Sequence, residues 1–253
     1  MTETYKAKAI FNWSGGKDSA LCLYYILKEK KYEVLCLLTS INEGHNRISM
    51  HGVRTSLLEE QTKSIGLPLT KMMMPEMPTM EAYEESMHTT LIALKQQGAE
   101  ASIFGDIFLA DLRKYREDKL EGISLKGVFP LWKKDTRKLM DEFIALGFKT
   151  IVVCVNEKFL DKSFVGRIID QQFLSDLPPS VDPCGENGEF HTFVFDGPIF
   201  KNAIAFELGK VMYRTYEKPT ATTKDNSYDC DAQEDASSPF NSGFWYLDLL
   251  PSV

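Results

Sequence analysis

A short apolar run, Lys8 to Trp13, enters the stretch S-G-G-K-D-S (Ser14 to Ser19), and the chain leaves it with Ala20, Leu23, Tyr24 and Leu27 at helical spacing. The i, i+3, i+4, i+7 pattern predicts an amphipathic helix ending in Lys28-Glu29-Lys30-Lys31. Val34 to Leu38 is then continuously apolar, as expected of a strand covered on both faces of a parallel sheet. Strand, glycine turn, helix and strand make one βαβ unit, and the grammar repeats. Val53, Leu57, Leu58, Gln61 and Ile65 stop at Gly66 before a strand near Leu67 to Met74. Met80, Tyr83, Met87, Leu91 and Leu94 close at Gly98 before Ala101 to Phe104. Leu139, Met140 and Phe143 end at Gly147 before Thr150 to Val155. This alternation predicts an α/β fold, a doubly wound and mostly parallel Rossmann-like sheet with helices on both faces. Right-handed crossovers would place its ligand-binding loops along the C-terminal edge of the strands.

The grammar changes near Pro178. Phe190 to Phe195, Ala203 to Tyr216 and Phe244 to Leu250 read as strands joined by turns, which predicts a smaller C-terminal α+β region with antiparallel pairing. We therefore expect a first domain over 1–156 and a second over 157–253, with a mobile polar excursion at 218–243. The net charge of −7 offers no global attraction for nucleic acid or for an anionic membrane. Five scattered cysteines without C-x-x-C spacing argue for a reducing compartment. With no signal-peptide core and no apolar run near the roughly 18 residues of a spanning helix, the expectation is a cytoplasmic protein that avoids the membrane.

S-G-G-K-D-S is not a Walker A loop, since Phe11 lies five residues before Gly16 and Asp18 follows Lys17. It is still suited to phosphates. Gly15 and Gly16 let a ligand approach the backbone, the helix start favours an anion, Ser14 and Ser19 add hydroxyls, and Lys17 adds charge. Asp18 would repel phosphate unless it holds a bridging Mg²⁺, a role that Asp106 at the end of a central strand can share. The competing reading, an ordinary glycine turn with Asp18 as a helix-start residue, leaves too many of the six residues unexplained. A second cluster, Glu186-Asn187-Gly188-Glu189-Phe190-His191-Thr192, lies far downstream. Glu186, Glu189 and His191 can accept a proton, His191 near its ordinary pKa of about 6.5, and Asn187 can orient an amide or carboxyl. In a glycine-rich turn such groups are often merely solvated. Cys184 and His191 alone do not make a zinc site. His51 divides evenly between lining a nucleotide site and local capping, and Trp132 reads as packing.

The loop resembles that of the N-type ATP pyrophosphatases, which grip the departing pyrophosphate of ATP. Further motifs resemble one branch, the diphthine–ammonia ligase family. These are Met50-His51, F-G-D-I-F-L-A-D-L-R (Phe104 to Arg113), F-P-L-W (Phe129 to Trp132), L-D-K-S-F-V-G-R (Leu160 to Arg167) and C-G-E-N-G-E-F-H-T-F-V-F-D-G-P (Cys184 to Pro198). The resemblance implies an amide-forming ligase that uses ATP, Mg²⁺ and ammonium, adenylates a carboxylate and releases AMP and pyrophosphate. It also implies ATP binding by Ser14 to Ser19, His51, Gly105 and Asp106, and acceptor binding by Asn187 and Thr192. One departure is plain. Asn187 and His191 stand where the family pattern E-G-G-E-[FY]-E-T has Gly and Glu, a form similar to that of a bacterial subgroup associated with cobalamin salvage. The acceptor can thus be protein-borne or a small carboxylate such as a cobalamin precursor, and its turn is expected to act separately from the ATP loop. Two readings compete, an RNA-thiolating enzyme and a non-catalytic ATP-binding module. The first lacks a basic surface or a C-x-x-C pair, and the second leaves the acidic residues without a task. The oligomeric state stays open, a homodimer among the options.

Overall fold

A computed structural model describes residues 5–48, 51–75, 79–216 and 242–252. Met50 and residues 218–241 of the expected polar excursion lie outside the described residues, while Ser242 and Gly243 already belong to the last strand. The first sheet holds β1 (Ala7–Asn12), β2 (Tyr32–Asn42), β3 (Arg47–Ile48), β4 (Leu69–Met74), β5 (Ala101–Ile103) and β6 (Lys126–Val128). Its parallel strands run in the order β4-β2-β1-β5-β6, and the short β3 pairs antiparallel with the end of β2. The chain winds outward from β1 to β4, then returns to β5 on the other side of β1. That reversal opens a crevice beyond the ends of β1 and β5, the switch point where doubly wound sheets bind ligands.

Successive residues of β1 enter different cores. Ala9 and Phe11 pack with α1 (Lys17–Glu29), α2 (Thr55–Ile65) and α5 (Thr136–Ala145), whereas Ile10 faces α3 (Met80–Gln96) and α4 (Ala110–Glu121). Both faces of the sheet are therefore covered, which is why β1 and β2 read as unbroken apolar runs. Gly66 ends α2 in the left-handed region at φ +84°, its N–H returning to the Thr62 carbonyl, as the sequence predicts for a glycine stop. α4, β6 and the two-residue β3 escaped the sequence reading. α4 is charged at most of its positions and buries only Leu120, and β6 is three residues long.

The second sheet is antiparallel, in the order β8-β7-β10-β9, from β7 (Lys149–Asn156), β8 (Phe190–Asp196), β9 (Phe206–Tyr216) and β10 (Ser242–Pro251). One expectation is corrected here. The strand Thr150 to Val155, assigned from sequence to the parallel sheet, is an interior strand of the second. It is buried from Thr150 through Asn156, so its composition is that of a strand covered on both faces whatever its pairing. The change of sheet falls between Val128 and Lys149. A short α6 (Gln171–Asp176), capped by the Asp170 carboxylate on the Phe173 N–H, precedes the turn into β8. Among the described residues, no helix is long and apolar enough to cross a membrane.

Candidate active site

The S-G-G-K-D-S loop leaves β1 at the switch point and is fastened from behind by the second sheet. Gly15 takes φ +78°, and a Cβ there would come within 2.8 Å of Gln61 Oε1. Its carbonyl accepts from the Gln61 side chain at 3.0 Å and from the Val194 N–H at 2.9 Å, so Gly15 supports the loop and does not line the crevice. Gln61 is fully buried. It also donates to the Val194 carbonyl and accepts from the Trp13 indole. Sequence reading saw in Gln61 only a position on the α2 stripe. The Lys17 N–H donates to the Thr192 hydroxyl at 3.0 Å across 175 positions, and Ser14 and Ser19 bond each other at 3.0 Å. Asn12 spans the opening of the crevice, donating to Ser102 Oγ and to the Ile103 carbonyl.

Charge gathers in front of the loop. Lys17 Nζ lies 2.8 Å from Asp18 Oδ2 and 5.0 Å from the centre of the Phe190 ring. Burial works against its charge, but Asp18 and the other acidic groups outweigh that and hold the ammonium above its ordinary value. Gly105 permits a close approach, because a Cβ there would sit 3.2 Å from the Asp18 carbonyl carbon. Asp106 lies 3.0 Å from Arg116 Nε, out of line for a hydrogen bond, and both atoms are closed off without one. Burial pushes the Asp106 carboxyl up, Arg116 draws it back, and Asp18 adds to the rise. Arg116 stacks 4.3 Å from the Phe104 ring, and Arg113 lies 4.6 Å from each of the Phe129 and Trp132 rings. Trp132 therefore packs an arginine of α4, in line with its reading as packing.

The downstream turn, which lies far from the loop in sequence, folds into this same space. One cavity of about 730 Å³ is lined by Lys17, Asp18, Asp106, Glu186, Asn187 and His191, with His51, Gly16, Gly105 and Thr192 also on its wall. Such a volume lies within the range of about 300–1,000 Å³ usual for small-molecule sites. Glu186 accepts from the Ile107 N–H at 2.8 Å, and burial, followed by Asp18, pushes its carboxyl up to about 7. Glu189 differs. It is fully buried, is not on the cavity wall, and accepts from the Asp182 N–H, the Asn187 N–H and the Asn187 amide. Its carboxylate ties the turn together, so the proton-accepting role expected of it is not met by its position. The Thr192 hydroxyl is likewise taken by Lys17, which makes it a support for the loop.

His191 also lies on the cavity wall. Its ring stacks on His51 at 4.8 Å and 23°. Burial, then Lys17, lowers its pKa to about 4, so it is uncharged at neutral pH and a weak base there. His51 is lowered as well, first by burial and then by His191 and Lys17, while a bond to the Thr192 backbone opposes the fall. His51 lines the cavity beside Gly16. Cys184 Sγ is buried against the Thr136 carbonyl, and burial raises its thiol well above the ordinary range. Among the described residues, no three His, Cys, Asp or Glu side chains are arranged to hold a metal ion by themselves.

Comparison with known families and proteins matches this architecture. The Diphthamide synthase N-terminal domain matches residues 7–127 and the Diphthamide synthase C-terminal domain residues 135–219, changing over in the interval between the two sheets. The chain is 29% identical over 135 residues to a diphthine–ammonia ligase of Schizosaccharomyces pombe, covering 50% of this chain and 22% of that protein. It is 28% identical over 134 residues to the Bos taurus protein and 27% to the Homo sapiens protein of that name, covering 51% of this chain and 50% of each. It thus spans about half the length, or less, of these curated relatives. With both domains matched in order over most of its length, the chain belongs to the diphthamide synthase family.

Proposed function

We propose that the protein is an ATP-dependent ligase that activates a carboxylate as its adenylate and converts it to an amide with ammonia. The observation that carries this reading is the shared cavity. A phosphate-binding loop and a carboxyl group titrating near neutrality face the same space. In the reaction a carboxylate oxygen of the acceptor bonds to the α-phosphorus of ATP, and pyrophosphate leaves. Ammonia then bonds to the acyl carbon, AMP departs, and the nitrogen gives up a proton. Lys17, held charged, stabilises the departing pyrophosphate. Glu186, ionised in part at neutral pH, takes the proton and returns it to solvent. Asp18 and Asp106 fit Mg²⁺, since both line the cavity, the Asp18 charge is felt at the Asp106 carboxyl, and Asp106 Oδ2 lacks an aligned hydrogen bond. When bound, the ion would offset the charge of the phosphates, which supply its remaining oxygens.

Several features bear on the acceptor. The relatives named diphthine–ammonia ligase make diphthine the first candidate, and a free carboxylic acid such as a cobalamin precursor the second. His191, uncharged at neutral pH, brings no negative charge of its own to the turn, where a glutamate would add one favourable to a cationic trimethylammonium group. A thiolating role for Cys184 has little support, because a thiol so buried and so hard to ionise is a poor sulfur carrier. The test is incubation with Mg-ATP, ammonium and either diphthine-bearing elongation factor or free acids. AMP and pyrophosphate should form, and Lys17→Met should slow turnover at least about 10²-fold. ADP and phosphate as the products would overturn the adenylation reading.

A further inference from the structure

The loop between β3 and α2 carries His51 to the cavity wall, and its grip comes from the far end of the chain. Arg47 donates from Nη1 to the Gly52 carbonyl at 2.6 Å and from Nη2 to Asp248 Oδ1 at 2.9 Å. Arg54, immediately before α2, donates to both carboxylate oxygens of Asp248, at 3.0 Å and 2.7 Å. Asp248 sits in β10 where the register with β9 shifts, between Leu247 and Leu249. The ring of Tyr246, two residues earlier, lies against Gly52, where a Cβ would approach it to 3.0 Å. Asp248 is 13% exposed, so the three-residue network is shielded enough for its geometry to matter. The clamp thus closes both ends of the segment whose middle, His51, stacks on His191 and lies beside Gly16 of the phosphate loop.

β10 lies beyond residues 135–219, where the family's C-terminal domain matches. It nonetheless lines the cavity through Phe244 and holds the loop through Asp248. We infer that Asp248 is a positioning residue for nucleotide binding, acting through Arg47 and Arg54 to hold His51 against the ligand beside Gly16. The inference rests on the proposed use of the cavity for ATP. A carboxylate held by two arginines resists rotation in a way that one surface pair does not, because two planar forks fix both of its oxygens. Loosening it lets His51 move from its place beside Gly16, which removes contacts that the wall would make with a bound ligand.

The test uses the full chain and α,β-methylene-ATP with Mg²⁺. Asp248→Asn is compared with Leu249→Ala, which loosens the same strand without touching the clamp, and with Asp248→Glu, which keeps the charge. Dissociation constants come from calorimetry, stability from thermal unfolding, and the state of the His51 ring from ¹⁵N-imidazole NMR of the ligand-free proteins, assigned with His51→Gln. Asp248→Asn should weaken binding about tenfold and move the His51 resonances. Leu249→Ala should do neither at an equal or greater loss of melting temperature, and Asp248→Glu should recover at least half of the lost affinity. Equal affinities in Asp248→Asn and Leu249→Ala, or unmoved His51 resonances, would overturn the clamp while leaving the ligase reading intact. Wild-type protein that fails to bind the analogue would instead defeat the ligase reading, and the clamp's role with it.

Discussion

Replacing Glu186 by Gln should stabilise the free protein at alkaline pH and leave it unchanged in acid. The Glu186 carboxyl rises from an ordinary 4.5 to about 7 because burial penalises its charge and Asp18 repels it. Below pH 4.5 the group is protonated both folded and unfolded, so its contribution to stability is fully present. As pH rises the unfolded chain ionises first, and the contribution is lost until the folded group ionises near 7. The window of about two and a half pH units, at about 1.4 kcal/mol each, sets the full loss at roughly 3 kcal/mol. Gln keeps an oxygen for the Ile107 N–H and carries no charge, so the variant escapes the loss. Urea denaturation of both proteins at pH 4, 5, 6, 7 and 8, without nucleotide, reads the difference directly. It should start near zero, grow in favour of Glu186→Gln, and level off above pH 7. A difference that is flat across this range would show that Glu186 ionises like an exposed carboxylate, and one that grows toward acid would show a lowered carboxyl. The proton-accepting role would then have no basis.

His191 should titrate by NMR with a midpoint near 4, and its contribution to stability, being that of a lowered group, should disappear as pH falls from about 6.5 toward that value. A midpoint above 6 would restore it as a base. A pH–rate limb near 7 should accordingly persist in His191→Gln and vanish in Glu186→Gln; the reverse would exchange their roles. Gln61→Leu strands the Trp13 indole and takes the side-chain amide from the Val194 carbonyl and from the Gly15 carbonyl, which keeps the Val194 N–H, and should cost about 2 kcal/mol in urea denaturation; a loss below about 1 would mean that the indole and the Val194 carbonyl regain partners. Gly105→Ala pushes a methyl against the Asp18 and Ser19 backbone and should weaken Mg-ATP binding about tenfold, whereas Gly122→Ala, with nothing closer than 3.7 Å, should leave it unchanged. Equal affinities in the two alanine variants would show that the loop yields.

What could be read from sequence was local. The strand, glycine turn and helix around Ser14 to Ser19 declare themselves because their chemistry and their periodicity lie side by side. Gly66 marked its helix end because only a residue without Cβ enters the left-handed region freely. α4 was illegible because a helix gripping its core through Leu120, with its arginines lying on aromatic rings, shows no apolar stripe. β7 declared its burial but not its partners, since burial on both faces looks the same in either sheet. Glu186 and Glu189 looked equivalent, three positions apart. The intervening turn, with Gly188 at φ +83°, sends one into the cavity and folds the other back onto its own loop. The depressed basicity of His191 comes from its burial and from Lys17, which is brought near only by the docking of β8 on the phosphate loop.

That docking also ties the S-G-G-K-D-S loop to the second sheet. The Lys17 N–H ends on Thr192 and the Gly15 carbonyl on the Val194 N–H, and both partners lie in β8, which is zipped along β7 into the second sheet. For the loop to open as a unit, these two bonds must part from a strand that is itself held by its neighbour, while both bonds are sheltered among buried residues. The loop is therefore tied into the second sheet on both sides of Gly16, at the Gly15 carbonyl and the Lys17 N–H. Its hold in one shape comes from the second sheet, so that Ser14 to Ser19 are tied to the same strand that leads out of the Glu186–Glu189 turn.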